Sequence, residues 1–407
     1  DQAAILEEFN EQFVQIIGSG ATFSFGGGFS NASRIAAFTG IPEVNAILNL
    51  RARAAGNIRI VAVDKAGHEM EVDDYLIDLI EEPNYFQTKE ELFGQTTLFR
   101  DIFGDEFMYA PKPLGMKQPS GLFTLPPHAV NIEQRAGVQP SNMPFYLLTS
   151  FPKELVYTYQ DFGGDRKLLN IDNLMHLNDN NVTFTSKENF YRGNSKLDAL
   201  KPAIENIKAA YEARNVLIVN RGAIGILSNA ARDGIGGVAP MNKAEKEKVQ
   251  EEFKKYGLTK SQWQVIITNL ALNWQQMAID VDKLKLFEET REDTLKICDA
   301  YGTPYELLSS IRNTTFDNKK EAQRQWYRDT IIPEANRRIA GINKKFATYE
   351  RKGYRLVPKF DHLPIFETER KERAQSLMLT VNALTKALED NAITIDQYKL
   401  ELKKFGI

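Results

Sequence analysis

Thr290-Arg291-Glu292-Asp293-Thr294-Leu295-Lys296-Ile297-Cys298-Asp299-Ala300 closes a charged helical pattern, and Tyr301-Gly302-Thr303-Pro304 stops it. A polar loop follows, Ile311-Arg312-Asn313-Thr314-Thr315-Phe316-Asp317-Asn318, and then a basic helix over 319–345 that contains Pro333. Glycine and proline directly after a helical pattern end it, because glycine takes the left-handed cap and proline cannot continue the ladder. The pattern behind the stop begins near residue 279, which predicts a helix over 279–301, roughly 30 Å at about 1.5 Å per residue. Only Leu284, Phe287, Leu295 and Ile297 recur as apolar groups on it. So thin a stripe predicts packing beside copies of itself rather than burial in one chain. The basic helix carries Lys319, Lys320, Arg324, Arg328, Arg337, Arg338, Lys344 and Lys345 against Glu321, Asp329 and Glu334. On charge alone it reads as a solvated face that pairs with neighbouring subunits, with Pro333 bending it by removing one backbone donor.

The 407 residues are 43% hydrophobic and 26% charged, enough for a sizeable core in two or three compact units. No apolar run approaches the roughly 18 residues that a membrane span needs, so no membrane role is expected. The start of the chain shows no charged-then-apolar signal pattern. Cys298 is the single cysteine, which excludes an intramolecular disulfide and any multi-cysteine zinc site; its setting predicts a small buried apolar residue and a reducing compartment. The formal net charge of −3 argues against a basic nucleic-acid coat. A conduit is still compatible with that charge, since dense phosphate neutralisation would hold a duplex that must slide.

Residues 1–40 hold a polar helical pattern and two glycine clusters, Gly18-Ser19-Gly20 and Gly26-Gly27-Gly28, and read as a flexible arm. The glycines lack the Gly-Lys-Ser/Thr ending and the strong preceding strand of a phosphate loop. Pro42 opens a helix ending at Gly56, a strand follows over 58–63, and Lys65-Ala66-Gly67 turns it. A helix over 73–80 stops at Glu82-Pro83-Asn84. Thr88 with Glu91 forms a capping box, and the helix it starts ends at Gly104 before a strand at Phe107-Met108-Tyr109. Strands are expected over 122–125, 128–132, 146–148, 155–159 and 170–177. Helices are expected from Ser195 to about Asn215, with Pro202 shifting or kinking the start, and from Pro240 to Tyr256. A further strand is expected over 263–269.

No catalytic constellation stands out. His68, His128, His176 and His362 lie far apart without a second ligand at helical or strand spacing. Walker, Gly-x-Ser-x-Gly, HExxH and paired-cysteine motifs are absent. No enzyme activity and no cofactor are therefore expected.

Several ordered fragments carry a resemblance. Glu81-Glu82-Pro83-Asn84, Gly104-Asp105-Glu106-Phe107, Leu125-Pro126-Pro127-His128-Ala129-Val130, Leu174-Met175-His176-Leu177 and Asn220-Arg221-Gly222-Ala223-Ile224-Gly225-Ile226-Leu227 precede the helix–stop–loop–helix described above. In that order they resemble the portal proteins of tailed bacteriophages, of the lambdoid-siphophage type. The chain departs from the pattern at Lys196, where those proteins carry a proline. The resemblance covers roughly 40–350.

It implies an α+β portal fold that closes into a ring, a dodecamer in the family. The implied parts are an N-terminal arm (1–40), wing (41–194), first stem helix (195–219), clip (220–278) and second stem helix (279–302). A tunnel loop (303–318), a return through the wing (319–366) and a helical crown (367–407) complete it, the crown assigned by position. Ser310, Arg312, Asn313, Thr314, Thr315, Asn318, Lys319 and Lys320 would then line a DNA channel, making replaceable phosphate contacts. Asn229, Arg232, Lys243 and Lys246 would face docking partners on the clip. The implied partners are further copies of the chain, double-stranded DNA read without sequence preference, the terminase large subunit, the major capsid protein and a head–tail adaptor. The implied place is the portal vertex of a virion, assembled in the host cytoplasm. Two readings from other classes stay open at this level: an enzyme acting on nucleic acid or nucleotide, and a monomeric helical scaffold.

Overall fold

Helix α1 (Asn31–Gly40) begins at Ser30, whose side chain accepts from the Ser33 amide, and only Ile41 separates it from α2 (Pro42–Gly56), which Pro42 opens. This is a computed structural model, and it describes residues 29–113, 115–116, 118–134, 155–160, 163–181, 191–219, 225–229, 243–244, 247, 272–276, 286–308, 316–346, 352–390, 392, 394–395 and 397–399. The chain divides into two compact units, 1–200 with 297–407 and 201–296.

In the first unit, β1 (Arg59–Val63) and β2 (Glu69–Met70) flank the predicted turn, where Gly67 takes a φ of 90°. Helix α3 (Tyr75–Glu81) is capped by Asp74, and α4 (Lys89–Phe103) starts on the full Thr88–Glu91 capping box. Gly104 ends α4 in the left-handed conformation. A Cβ there would lie 2.6 Å from the Asn194 backbone, so glycine is required by space as well as by φ. Strands β3 (Asp105–Tyr109), β4 (Phe123–Leu125), β5 (Val130–Gln134), β6 (Leu155–Gln160), β7 (Arg166–Leu169) and β8 (Leu174–Asn178) follow. They make two antiparallel three-stranded sheets, β4-β3-β8 and β5-β6-β7. β7 escaped the sequence reading because Arg166, Lys167 and Leu168 are all exposed, leaving no alternation to detect. The expected strand over 146–148 lies outside the described residues.

Ser195 caps a four-residue helix, α5 (Lys196–Ala199), and α6 (Lys201–Val219) starts after Leu200, so the first long helix is broken next to Pro202, as its sequence implied. The second unit contains α6, the antiparallel pair β9 (Gly225–Asn229) and β10 (Leu272–Gln276), and most of α7 (Leu286–Ala300). Of the expected 240–256 helix, only 243–244 and 247 are described, all helical; the expected 263–269 strand lies outside the described residues.

The chain re-enters the first unit with a 3-10 turn (Tyr305–Leu307), α8 (Phe316–Trp326), a π-helical turn (Tyr327–Ile331) and α9 (Ile332–Phe346). Strand β11 (Arg355–Lys359) then pairs antiparallel with β1, and α10 (Glu367–Glu389) follows. The π turn ends at Ile331, with Ile332 between it and Pro333. Its wider backbone spacing accommodates a ring that would otherwise meet the carbonyl one turn back. The core joins Leu79, Ile80, Leu92 and Phe93 of α3 and α4 to Trp326, Tyr327, Ile339 and Ile342 of α8–α9. A smaller cluster, including Phe107, Ile132 and Tyr157, fills the space between the two sheets.

Candidate DNA-channel segment and its anchor

The segment after α7 begins on a complete Schellman cap. Gly302 (φ 57°) donates to the Asp299 carbonyl at 3.0 Å, and Thr303 donates to that of Cys298 at 2.9 Å. Twenty-eight positions later, the Thr330 hydroxyl in the π turn donates to the Gly302 carbonyl at 2.9 Å. The chain between these residues is thus an excursion that leaves and returns at one place.

That place is built around Arg51 of α2, which is fully buried. Its Nη1 donates to the Tyr301 carbonyl at 2.6 Å, its Nε and Nη2 hold Asp101 at 2.7 and 3.1 Å, and Nη2 also reaches both Glu334 oxygens at 2.7 and 2.8 Å. The Tyr301 hydroxyl donates to the Asp101 carbonyl at 2.8 Å. One guanidinium therefore binds the carbonyl where α7 ends and the carboxylate where α9 begins. Burial lowers its basicity, but Asp101 and Glu334 outweigh that and hold it above its ordinary value. Burial raises Glu334, yet Arg51, then Arg100 and Lys196, bring it below the usual carboxylate range. Asp101 ends above its ordinary value, since its burial outweighs the pull of Arg51.

The ion pairs continue outward. Arg100 meets Asp179 at 2.7 Å and Arg337 meets the same carboxylate at 3.6 Å. Arg338 grips Glu106 with two nitrogens, both side chains buried, and lies over the Phe93 ring. Asp105 accepts from Arg192 and from the Gly193 amide, and sits 2.9 Å from His176 Nε2, whose other nitrogen faces the Tyr157 hydroxyl. Five arginines (51, 100, 192, 337, 338) meet five carboxylates (101, 105, 106, 179, 334), so the formal charges cancel.

This corrects two expectations. The basic helix is not chiefly a solvated face for neighbouring subunits: Arg337 and Arg338 are paired within the chain, Lys345 reaches the Ile171 carbonyl, and Arg324 reaches Glu321 and the Ile365 carbonyl. Nor is the second long helix unburied along its whole length: its C-terminal end buries Asp293, Thr294, Ile297 and Cys298, while Glu288, Glu289, Arg291 and Glu292 ahead of them are exposed. Burial pushes the Cys298 thiol up to about 12, in keeping with an inert cysteine.

Of the expected channel residues, Asn318, Lys319 and Lys320 are exposed on the first turns of α8, so the expected 303–318 loop is partly helical at both ends. Ser310, Arg312, Asn313, Thr314 and Thr315 lie outside the described residues. Among the expected clip residues, Asn229 ends β9 and Lys243 is exposed, while Arg232 and Lys246 lie outside the described residues. Sequence reasoning missed the Arg51 centre. A signal was present: position 51 falls in the helical phase of Val44, Ile47, Leu48 and Ala55, all buried, where a charge demands buried partners.

Among the described residues no group of histidines, cysteines and carboxylates can hold a metal ion, and no helix is long and apolar enough to cross a membrane. The described body is a mixed helix-and-sheet fold organised around an anchored excursion between two helices. The chain belongs to the phage portal protein family, whose model matches residues 42–389; portal proteins are structural channel components, not enzymes. Among solved structures it is similar to a chain of the neck of a native GTA particle computed with C12 symmetry. The TM-score is 0.60 at 19% identity, over 95% of this chain and 96% of that one. It is also similar to an HK97 family phage portal protein from Corynebacterium diphtheriae, TM-score 0.52 at 11% identity, over 81% of this chain and 97% of that one. An uncharacterised protein of Rickettsia bellii (strain RML369-C) is 21% identical over 346 residues, 83% of this chain and 82% of its own.

Proposed function

We propose that this chain is the subunit of a twelve-membered ring at one capsid vertex, through which double-stranded DNA is packaged, retained and ejected. The observation that carries the reading is the excursion between Gly302 and Thr330, drawn together at its base and bearing Arg312, Asn313, Thr314 and Thr315 within its span. A polar segment on a rigid base makes exchangeable phosphate contacts without a dense charge that would arrest the duplex. The C12 neck that this fold resembles supports twelve copies. In this reading α6 and α7 are the stem helices and the residues between them the clip. The groove that α6 and α7 share, lined by Ala209, Ala210 and Ala213 on one side and Glu288, Glu289 and Glu292 on the other, belongs to the stem. Asn229, Arg232, Lys243 and Lys246 then face the terminase large subunit and later the head–tail adaptor, and the major capsid protein surrounds the ring. The ring resides in the virion after assembly in the host cytoplasm.

The test joins native mass spectrometry and negative-stain imaging of the purified chain to a packaging assay with Arg312→Glu. Rings of about twelve subunits with a central hole, formed equally well by the variant but packaging or retaining less DNA, support the reading. Normal packaging by an assembled Arg312→Glu ring removes the segment from the channel wall.

A further inference from the structure

Two unlike surfaces lie on opposite edges of the β4-β3-β8 sheet. At the β4 edge the loop after α3 presents Tyr85, 93% exposed, and Phe86, 58% exposed; the two rings meet edge-on, and Phe86 in turn packs beside Phe123 of β4. Glu82, three residues before Tyr85, and Glu90, four residues after Phe86, are exposed. A large aromatic at that exposure contributes nothing to its own core, and two adjacent ones form an apolar knob of the kind found at interfaces.

At the β8 edge, strand β8 and helix α9 leave an open groove of about 730 Å³, within the usual size range of built clefts. His176 and Leu177 line it with Gly341 and the buried Leu174 and Met175, and its exposed lining is more polar than apolar. Glycine sets its depth: a Cβ at 341 would stand 3.1 Å from the Met175 sulfur and 3.2 Å from Leu177. Lys344 and Lys345 rim the groove, opposed only by Asp172 among its lining residues.

Knob and groove are complementary in charge: aromatic rings between two exposed carboxylates face a groove rimmed by lysines. They belong to different edges of one sheet, so the chain does not bring them together itself. We infer that the Tyr85–Phe86 knob of one copy seats in the β8–α9 groove of the next copy, making the head-to-tail contact of the ring. Two different patches meeting in repetition are what a closed ring requires, whereas a two-fold dimer would join like to like. The inference rests on the ring reading and adds to it which faces meet.

Crosslinking distinguishes the possibilities, because Tyr85 and Lys344 are both exposed and their replacement leaves the core intact. The double variant Tyr85→Cys/Lys344→Cys, treated as the assembled full chain with a short bismaleimide, is expected to give a ladder of covalent multimers. Each single variant is expected to give none. Dimers from Tyr85→Cys alone would mean a like-to-like contact and overturn the proposal. Rings in the micrograph without a ladder would overturn the pairing of faces while leaving the ring reading intact. A concentrated sample with neither rings nor crosslinks would overturn both. As a second measurement, Glu82→Lys or Lys344→Glu alone is expected to lower the ring fraction several-fold, and the two together to restore it; no recovery in the pair counts against the contact.

Discussion

The Arg51 guanidinium donates to the Tyr301 carbonyl at 2.6 Å across 250 positions of sequence, and through the same group it holds Glu334 on the far side of the excursion. The carbonyl lies at the negative end of α7, where a cation is favoured, and desolvation strengthens the attraction. A methionine at position 51 fills much of the space and removes the charge, leaving Asp101 buried without its partner. Arg51→Met is expected to destabilise the chain by about 3–5 kcal/mol. Chemical denaturation of the two proteins checks this, and a loss under about 1 kcal/mol would mean that the network relaxes around the gap.

Arg338 and Glu106 are both buried, and the pair makes up one isolated end of the network. Arg338→Met alone strands a carboxylate and is expected to cost about 3–5 kcal/mol. Adding Glu106→Leu removes the stranded charge. Because a buried pair repays its own desolvation poorly, the double variant is expected to recover most of that loss. Additive losses in a double-mutant cycle would contradict this account.

Glu334 and Asp101 share Arg51 and give opposite pH dependences. The folded value of Glu334 lies below its ordinary 4.5, so its contribution is present above 4.5 and is lost as pH falls through the depressed value. Asp101 lies above its ordinary 3.8, so stability tied to it falls as pH rises through the raised value. Glu334→Gln is therefore expected to be less stable than the parent near neutral pH, with the two curves converging in acid below 4.5. Denaturation midpoints across the acid range decide it: a constant gap at every pH would show that the Glu334 charge is not the source.

What could be read in the sequence was local. Thr88 with Glu91, Pro42 at a helix start and Gly104 at a helix end each act within one turn of backbone, and each stands where its spacing placed it. The order of stop, polar segment and basic helix was equally legible, and it carried the family resemblance. The arginines of α9 were misread because their partners lie far away: Glu106 stands 232 positions from Arg338, and no periodicity encodes such a pairing. Pro333 marked the right place for the interruption, but the π turn falls at Tyr327–Ile331, with Ile332 between it and the proline, since the backbone behind a proline must yield to its ring.

The last relationship concerns Gly302 and the single cysteine. Cys298 is 1% exposed one turn before the cap, and its thiol, pushed up to about 12, is almost wholly protonated at about pH 8. A thiol reagent should therefore modify the native chain only when the end of α7 opens, and modify the denatured chain fully. Gly302 holds a φ of 57°, and a Cβ there would lie 2.9 Å from the Thr330 hydroxyl that closes the excursion. Gly302→Ala is expected to cost about 1–2 kcal/mol through the left-handed backbone alone. If opening controls access, labelling of Cys298 then accelerates by roughly 5- to 30-fold. Rapid labelling of the parent would place the thiol outside the core, and an unchanged rate in Gly302→Ala would show that the cap does not secure the end of the helix.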